Sequence, residues 1–334
     1  MTLATTTTIK TLEDCAYQAI EKHFKKTIKW EKSVKKDEDI EALHQMRVGM
    51  RRLRTAISRF ELSLNLPKSV SDKNIGKIAG ILGKLRDLDV LKETLENNYK
   101  PHLVQKEQAS LQIAFSNLAK QREIEVSHVQ KIFKNETYKS FKKDLQEWLE
   151  KPNYQPLASL PIQQVLPDLL LPEVSKLLLH PGWMIGTQVI DSEVVIQPNW
   201  TPEQLEHHLK TQGKTLHSLR KQAKRVRYQM ELFTELYGES FAANVANVKH
   251  IQENLGMLQD SMVLNEWLVN VFKSEFDTQL RGLITLLAAN RYQLWQEWQP
   301  LQKLYLQADT RYNLRLVVLQ PTVFYQDLKE HHPC

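Results

Sequence analysis

The chain has 334 residues, enough for one large domain or two of ordinary size, and its 42% hydrophobic and 25% charged residues with only 10 glycines exclude a disordered or fibrous protein. Its 45 Lys and Arg against 39 Asp and Glu give a net charge of +6, too modest to mark a nucleic-acid binder by itself, so the placement of charge has to decide. Cys15 and Cys334 stand near opposite ends, which excludes a disulfide framework and a cysteine metal site.

Residues 1–10 lack the charged and apolar segments of a secretory signal. In chain order, apolar residues recurring at spacings of three and four predict helices over about 11–35, 38–65, 70–97, 101–150 with a break, 161–180, 202–237, 240–273 and 276–308. The most apolar stretch, 166–179, is interrupted by Pro167, Asp168, Pro172, Glu173 and Lys176 and is too short to span a bilayer. Residues 181–200 break the helical period. There, Val189-Ile190 and Val194-Val195-Ile196 flank Asp191-Ser192-Glu193, a pattern of a short hairpin or an ordered loop. The expectation is an all-α, cytoplasmic protein without a membrane segment.

The sequence also repeats itself. His44-Gln-Met-Arg47-Val-Gly-Met-Arg51-Arg52-Leu-Arg54 returns as His217-Ser-Leu-Arg220-Lys221-Gln-Ala-Lys224-Arg225-Val-Arg227 at a shift of 173 residues. The same shift carries Phe60 to Phe233, Leu82-Gly83 to Leu255-Gly256, Asp87 to Asp260 and Val90-Leu91 to Val263-Leu264. A repeat this long implies duplication of a helical subdomain rather than a short-repeat solenoid. The simplest architecture is two bundles related by a pseudo-two-fold axis with a basic central groove or pore. The halves would be 9–150 and 156–310 of a single domain over 9–310, followed by a tail at 311–334. Residues 181–200 have no counterpart in the first half.

On a helical wheel His44, Arg47, Arg51 and Arg54 fall within about 80° of one another. Leu43, Met46, Met50, Leu53, Ile57 and Phe60 occupy the adjoining sector and should face the core. His217, Arg220, Lys224 and Arg227 repeat the stripe beside Leu216, Leu219, Ala223, Val226, Met230 and Phe233. No acidic residue stands between Glu41 and Glu61, or between Glu206 and Glu231, so the stripe charges are expected to be unpaired along their own helices. Like charges at these spacings oppose helix formation by about 0.2–0.5 kcal/mol per pair, which calls for an anionic partner. Each stripe is roughly 15 Å long, which suits an extended ligand, and arginine forks match phosphate oxygens. Arg52, Lys221 and Arg225 flank the stripes; Lys77, Lys84, Lys249 and His250 are weaker additions. Asp87 and Asp260 read either as metal or catalytic carboxylates or as partners that orient a stripe arginine.

These paired motifs, H-x-x-R-V-x-x-R-R-L-R and H-x-x-R-K-x-x-K-R-V-R-Y with the following L-G-x-L-R-D-L-D-V-L and L-G-x-L-Q-D-x-x-V-L, resemble the conserved histidine α-helical domain, the CHAD family. The resemblance implies two pseudo-symmetric helical bundles, a basic surface that binds inorganic polyphosphate, association with polyphosphate granules, and binding rather than turnover, with no metal or cofactor. It assigns the ligand role to His44, Arg47, Arg51, Arg52, Arg54, His217, Arg220, Lys224, Arg225 and Arg227. Lys84 and Arg86 extend that set in the first half; Met257 and Gln259 stand at the matching positions of the second, so that side should contribute less.

A nucleic-acid binder using the same groove would want aromatic platforms for the bases, and the stripes carry only Tyr228, with Trp295 and Trp298 expected in the core. A phosphohydrolase or kinase would want a G-x-x-x-x-G-K-[ST] loop, an H-E-x-x-H site or a dense carboxylate cluster, none of which occurs in or beside the stripes.

Overall fold

The computed structural model describes residues 10–197 and 200–322; the N-terminal segment before residue 10 and the second half of the expected tail, with Cys334, lie outside them. Thr11 opens the first helix with a capping box. Its hydroxyl accepts from the Asp14 amide at 3.2 Å while the Asp14 carboxylate accepts from the Thr11 amide at 2.9 Å, satisfying two donors that a helix start leaves unpaired. Helix α1 (Leu12–Lys29) is followed by α2 (Glu31–Lys36), which stops at Asp37 in the left-handed region, φ 54°. Asp39 caps α3 (Ile40–Arg59), accepting from Glu41 at 2.8 Å.

Helix α4 (Asp72–Thr94) leads into a π-helical turn over Leu95–Tyr99. The long 101–150 segment divides into α5 (Gln105–Lys134) and α6 (Glu136–Glu150), because Asn135 leaves helical geometry and caps the Thr137 amide. Then come α7 (Ile162–Leu178) and a hairpin of β1 (Thr187–Ile190) and β2 (Glu193–Ile196), antiparallel with Thr187 opposite Ile196. Asp191 and Ser192 form its turn with φ of 50° and 68°, the pair of positive values that matches the strand twist. Thr201 and Gln204 build a second capping box and Pro202 occupies the first turn of α8 (Pro202–Glu231), where a missing amide costs nothing. Helices α9 (Glu239–Phe272), α10 (Phe276–Gln279), α11 (Arg281–Leu306) and α12 (Ala308–Leu319) complete the fold. The protein is all-α apart from the hairpin, and among the described residues no helix is long and apolar enough to cross a membrane.

The helix α12 was not anticipated: from residue 311 onward it was expected as tail. It buries Leu314 and Val318, and the Val318 carbonyl accepts from the Tyr237 hydroxyl at 2.9 Å.

The chain forms two compact units. Among the described residues, one comprises 10–89, Arg122–Leu169 and 321–322; the other comprises Val90–Gln121, 170–197 and 200–320. Within the first, α3 packs on α1 where Gly49 meets Thr27: a Cβ at Gly49 would lie 2.7 Å from Thr27 Oγ1 and 3.1 Å from its backbone nitrogen. The predicted apolar sector of α3, Leu43, Met46, Met50, Leu53, Ile57 and Phe60, is buried throughout. In the second unit α8 packs on α9, and Leu216, Leu219, Ala223, Val226, Met230 and Phe233 are likewise buried.

Residues 90–121 belong with the second unit although they precede it by far in sequence. The reason is specific: Glu107, almost fully buried, accepts from the Gly282 amide and so caps the start of α11, and Gln121 accepts from the Trp267 indole at 3.2 Å. The tryptophans expected in the core are there. Trp298 stacks on Trp183 with centroids 5.3 Å apart, Trp183 on Tyr305 at 5.3 Å, and Trp295 on Trp200 at 5.1 Å.

Candidate phosphate-binding stripes

In the first unit, the apolar sector of α3 sinks into the core and leaves His44, Arg47, Arg51 and Arg52 half-buried along its edge, with Arg54 exposed. Arg47 reaches α4, donating to the Gly83 carbonyl at 2.8 Å and to Asp87 at 3.0 Å. Arg54 grips Asp72 at the start of α4 through two hydrogen bonds of 2.7 Å each. Glycine on α4 makes room for these forks: at Gly76 a Cβ would stand 3.2 Å from Arg54 Cζ.

The second unit repeats the arrangement on α8 and α9. His217, Arg220, Lys224 and Arg227 are half-buried, and Arg220 lies over Gly256, where a Cβ would come within 3.2 Å of its Nε. Asp260 stands 3.8 Å from Arg220. The short 3-10 turn that follows Phe60, Glu61–Ser63, also returns after Phe233 as Thr234–Leu236, at the same shift of 173 residues.

One expectation fails at Arg227. Its guanidinium pairs along its own helix with Glu231 at 2.7 Å and also donates to Gln252 at 3.1 Å, because Glu231 lies one turn further on α8, just past the acid-free interval. Arg54 and Arg227 occupy matching positions, and each is held by a carboxylate. Arg225 is exposed and 3.7 Å from Glu173 on α7. Glu173 is buried and accepts from Lys176 and Gln222. Burial opposes its charge, but these donors and Arg225 hold its carboxyl below the usual carboxylate range. Lys221 is exposed.

On α4, Arg86 is half-buried and Lys84 and Lys77 are exposed; on α9, Met257 is exposed and Gln259 half-buried at the positions matching Lys84 and Arg86. Lys249 and His250 are exposed, with Lys249 3.7 Å from Glu253. Both stripe histidines are pushed below the ordinary histidine value. For His44 the cause is burial, opposed by Glu41 and reinforced by Arg86, Arg51 and Arg47; for His217 it is burial, then Lys221, Arg220 and Lys224. The His217 Nδ1 and Arg220 Nε atoms are buried without a hydrogen-bond partner.

Sequence reading missed two supports of the stripes, Asp72 and Glu173, and one buried neighbour, His23. Asp72 is an acid at the start of the next helix, a legible signal in hindsight. His23 on α1 is buried, and burial followed by the charge of Arg52 lowers its pKa to about 4; nothing in its local sequence announces that influence. Among the described residues no group of three His, Cys, Asp or Glu is placed to hold a metal ion. Tyr228, the one aromatic beside the stripes, is buried with Arg227 over its ring at 5.1 Å.

A solved CHAD domain from the plant Ricinus communis matches with a TM-score of 0.52 and 20% identity, covering 92% of this chain and 91% of that one. PptA from Streptomyces chartreusis matches with a TM-score of 0.54 and 14% identity, covering 93% and 98%; at such identities these two likenesses concern the fold. Comparison with curated proteins gives no match. The CHAD domain family matches residues 18–269, an interval that contains α3, α4 and α8 and all of α9 but its last three residues, and the chain therefore belongs to the CHAD domain family.

Proposed function

We propose that this protein binds inorganic polyphosphate through the two basic stripes and does not turn it over. The observation that carries the reading is the recurrence, at one fixed shift, of a half-buried His–Arg–Arg/Lys edge whose first arginine lies across a glycine on the next helix. Cations held at the edge of a core have given up part of their hydration, so a dense polyanion gains more from them than from freely solvated lysines. Arg47 and Arg220 are pre-oriented by α4 and α9, which lowers the ordering cost of binding.

A nucleic acid is the second reading. Burial of Tyr228 beneath Arg227 leaves no stacking platform on the stripes, which favours bare phosphate over bases. Asp87 and Asp260, each beside a stripe arginine, suit an orienting role better than a catalytic one. A place in the cytoplasm, on polyphosphate granules, follows from this reading, and other linear polyanions would compete.

Replacing Arg51 and Lys224 by glutamate in one chain should abolish polyphosphate binding while far-UV circular dichroism stays unchanged. Retained affinity in that folded variant, or tighter binding of RNA or DNA than of long polyphosphate at physiological salt, would refute the proposal.

A further inference from the structure

The stripe of the first unit does not end at α3. Arg47 is bonded to the carbonyl of Gly83, and the next residue, Lys84, opens into a cleft of ≈ 350 Å³ that it lines with Ile81 from α4, with Glu125, His128 and Lys131 from α5, and with Asn135 at the junction of α5 and α6. The three α5 residues recur at a spacing of three, so they share one helix face over about two turns.

The chemistry of the lining is that of an anion site. Lys84 and Lys131 are exposed, and among the described residues neither enters an ion pair. His128 is turned by Glu125, whose carboxylate lies 3.2 Å from His128 Nδ1, leaving Nε2 as the ring nitrogen available to a ligand. The cleft is large enough for a small segment of ligand.

We infer that this cleft extends the phosphate site: Lys84, His128 and Lys131 take up the phosphates of a chain too long for the α3 stripe. The inference rests on the polyphosphate reading and adds to it a helix, α5, that the repeated motifs do not include. It also makes the units unequal. The position in the second unit that matches Lys84 is Met257, half exposed, so the extension belongs to the first unit alone.

The test compares long-chain polyphosphate with tripolyphosphate, each titrated against wild type and the Lys84→Gln/Lys131→Gln variant over a range of salt. The exposed positions and retained side-chain stems favour folding, checked by circular dichroism, and His128→Gln/Lys131→Gln serves as an independent variant on α5. Both variants should bind the long chain about tenfold or more weakly. The lysine pair should flatten the slope of log affinity against log salt by about one to two, as expected for two lost phosphate contacts, and tripolyphosphate affinity should stay within about twofold. Unchanged long-chain affinity and slope, or an equal loss for both ligands, overturns the inference while leaving the stripes in place. Failure of the wild type to bind either ligand overturns the functional reading, and the inference falls with it.

Discussion

Arg47 and Asp87 stand 3.0 Å apart, with Arg47 mostly buried and Asp87 largely exposed. A pair so placed adds little to stability, since water screens the carboxylate; its effect is to steer the guanidinium and to compete for it. Asp87→Asn should therefore raise polyphosphate affinity several-fold and steepen the salt dependence by about one contact, with helicity unchanged. Titration at three or more salt concentrations checks this. Chain-length analysis after incubation with Mg²⁺ or Mn²⁺ should show no shortening by either protein, and shortening that the substitution abolishes would make Asp87 catalytic.

The stripe histidines predict a pH dependence of binding. Burial and neighbouring cations hold His44 and His217 below the ordinary histidine value, so both are neutral at pH 8 in the free protein. A bound polyanion raises their pKa, so affinity should climb as pH falls from about 8 to 6, and proton uptake should accompany binding. Calorimetry in buffers of different ionisation enthalpy measures that uptake. His44→Gln/His217→Gln should flatten the profile, and a flat profile for the wild type would remove the histidines from the ligand set.

His23 bears on stability rather than binding. Its folded pKa of about 4 lies below the unfolded value of 6.5 because the site is buried and faces Arg52, with Lys22 and Lys26 adding to the effect. A depressed value means that stability is complete above about pH 6.5 and is lost as pH falls towards 4, by up to about 3 kcal/mol. Urea unfolding at pH 7 and pH 4.5 should show this loss in the wild type in excess of that in His23→Gln, whose uncharged side chain removes this part of the pH dependence.

Gly49 sets how closely α3 approaches α1. Gly49→Ala would press a methyl group on Thr27, itself fully buried with its hydroxyl donating to the His23 carbonyl at 2.7 Å, and should cost about 1–3 kcal/mol. Adding Thr27→Ala should recover only part of this, because the Thr27 backbone remains 3.1 Å from the new Cβ. Denaturant midpoints of the three variants decide. The matching position in the second half is Gln222, which bonds to Glu173 on α7, so the two long helices are packed by different means despite their shared stripe.

Much of this protein was legible from residue order because it is helical and repeated. Period alone placed Leu43, Met46 and Leu53 in one core and Leu216, Leu219 and Val226 in another, since burial of a helix face follows from which residues lie 100° apart. The hairpin was also legible, because Asp191-Ser192 between β-branched residues suits its tight turn. The helix α12 was not: it contributes only Leu314 and Val318 to the core, and two apolar residues four apart give too little period to recognise.

What residue order by itself determined is the pair of basic stripes, their equal length and the core faces beside them, for these are local consequences of helical geometry. Which arginines are committed was decided only by tertiary structure. Arg54 meets Asp72, Arg47 meets Asp87 and His128 joins Lys84 across two helices, because electrostatic strength depends on separation and burial in space, and folding sets both between residues that the chain keeps far apart.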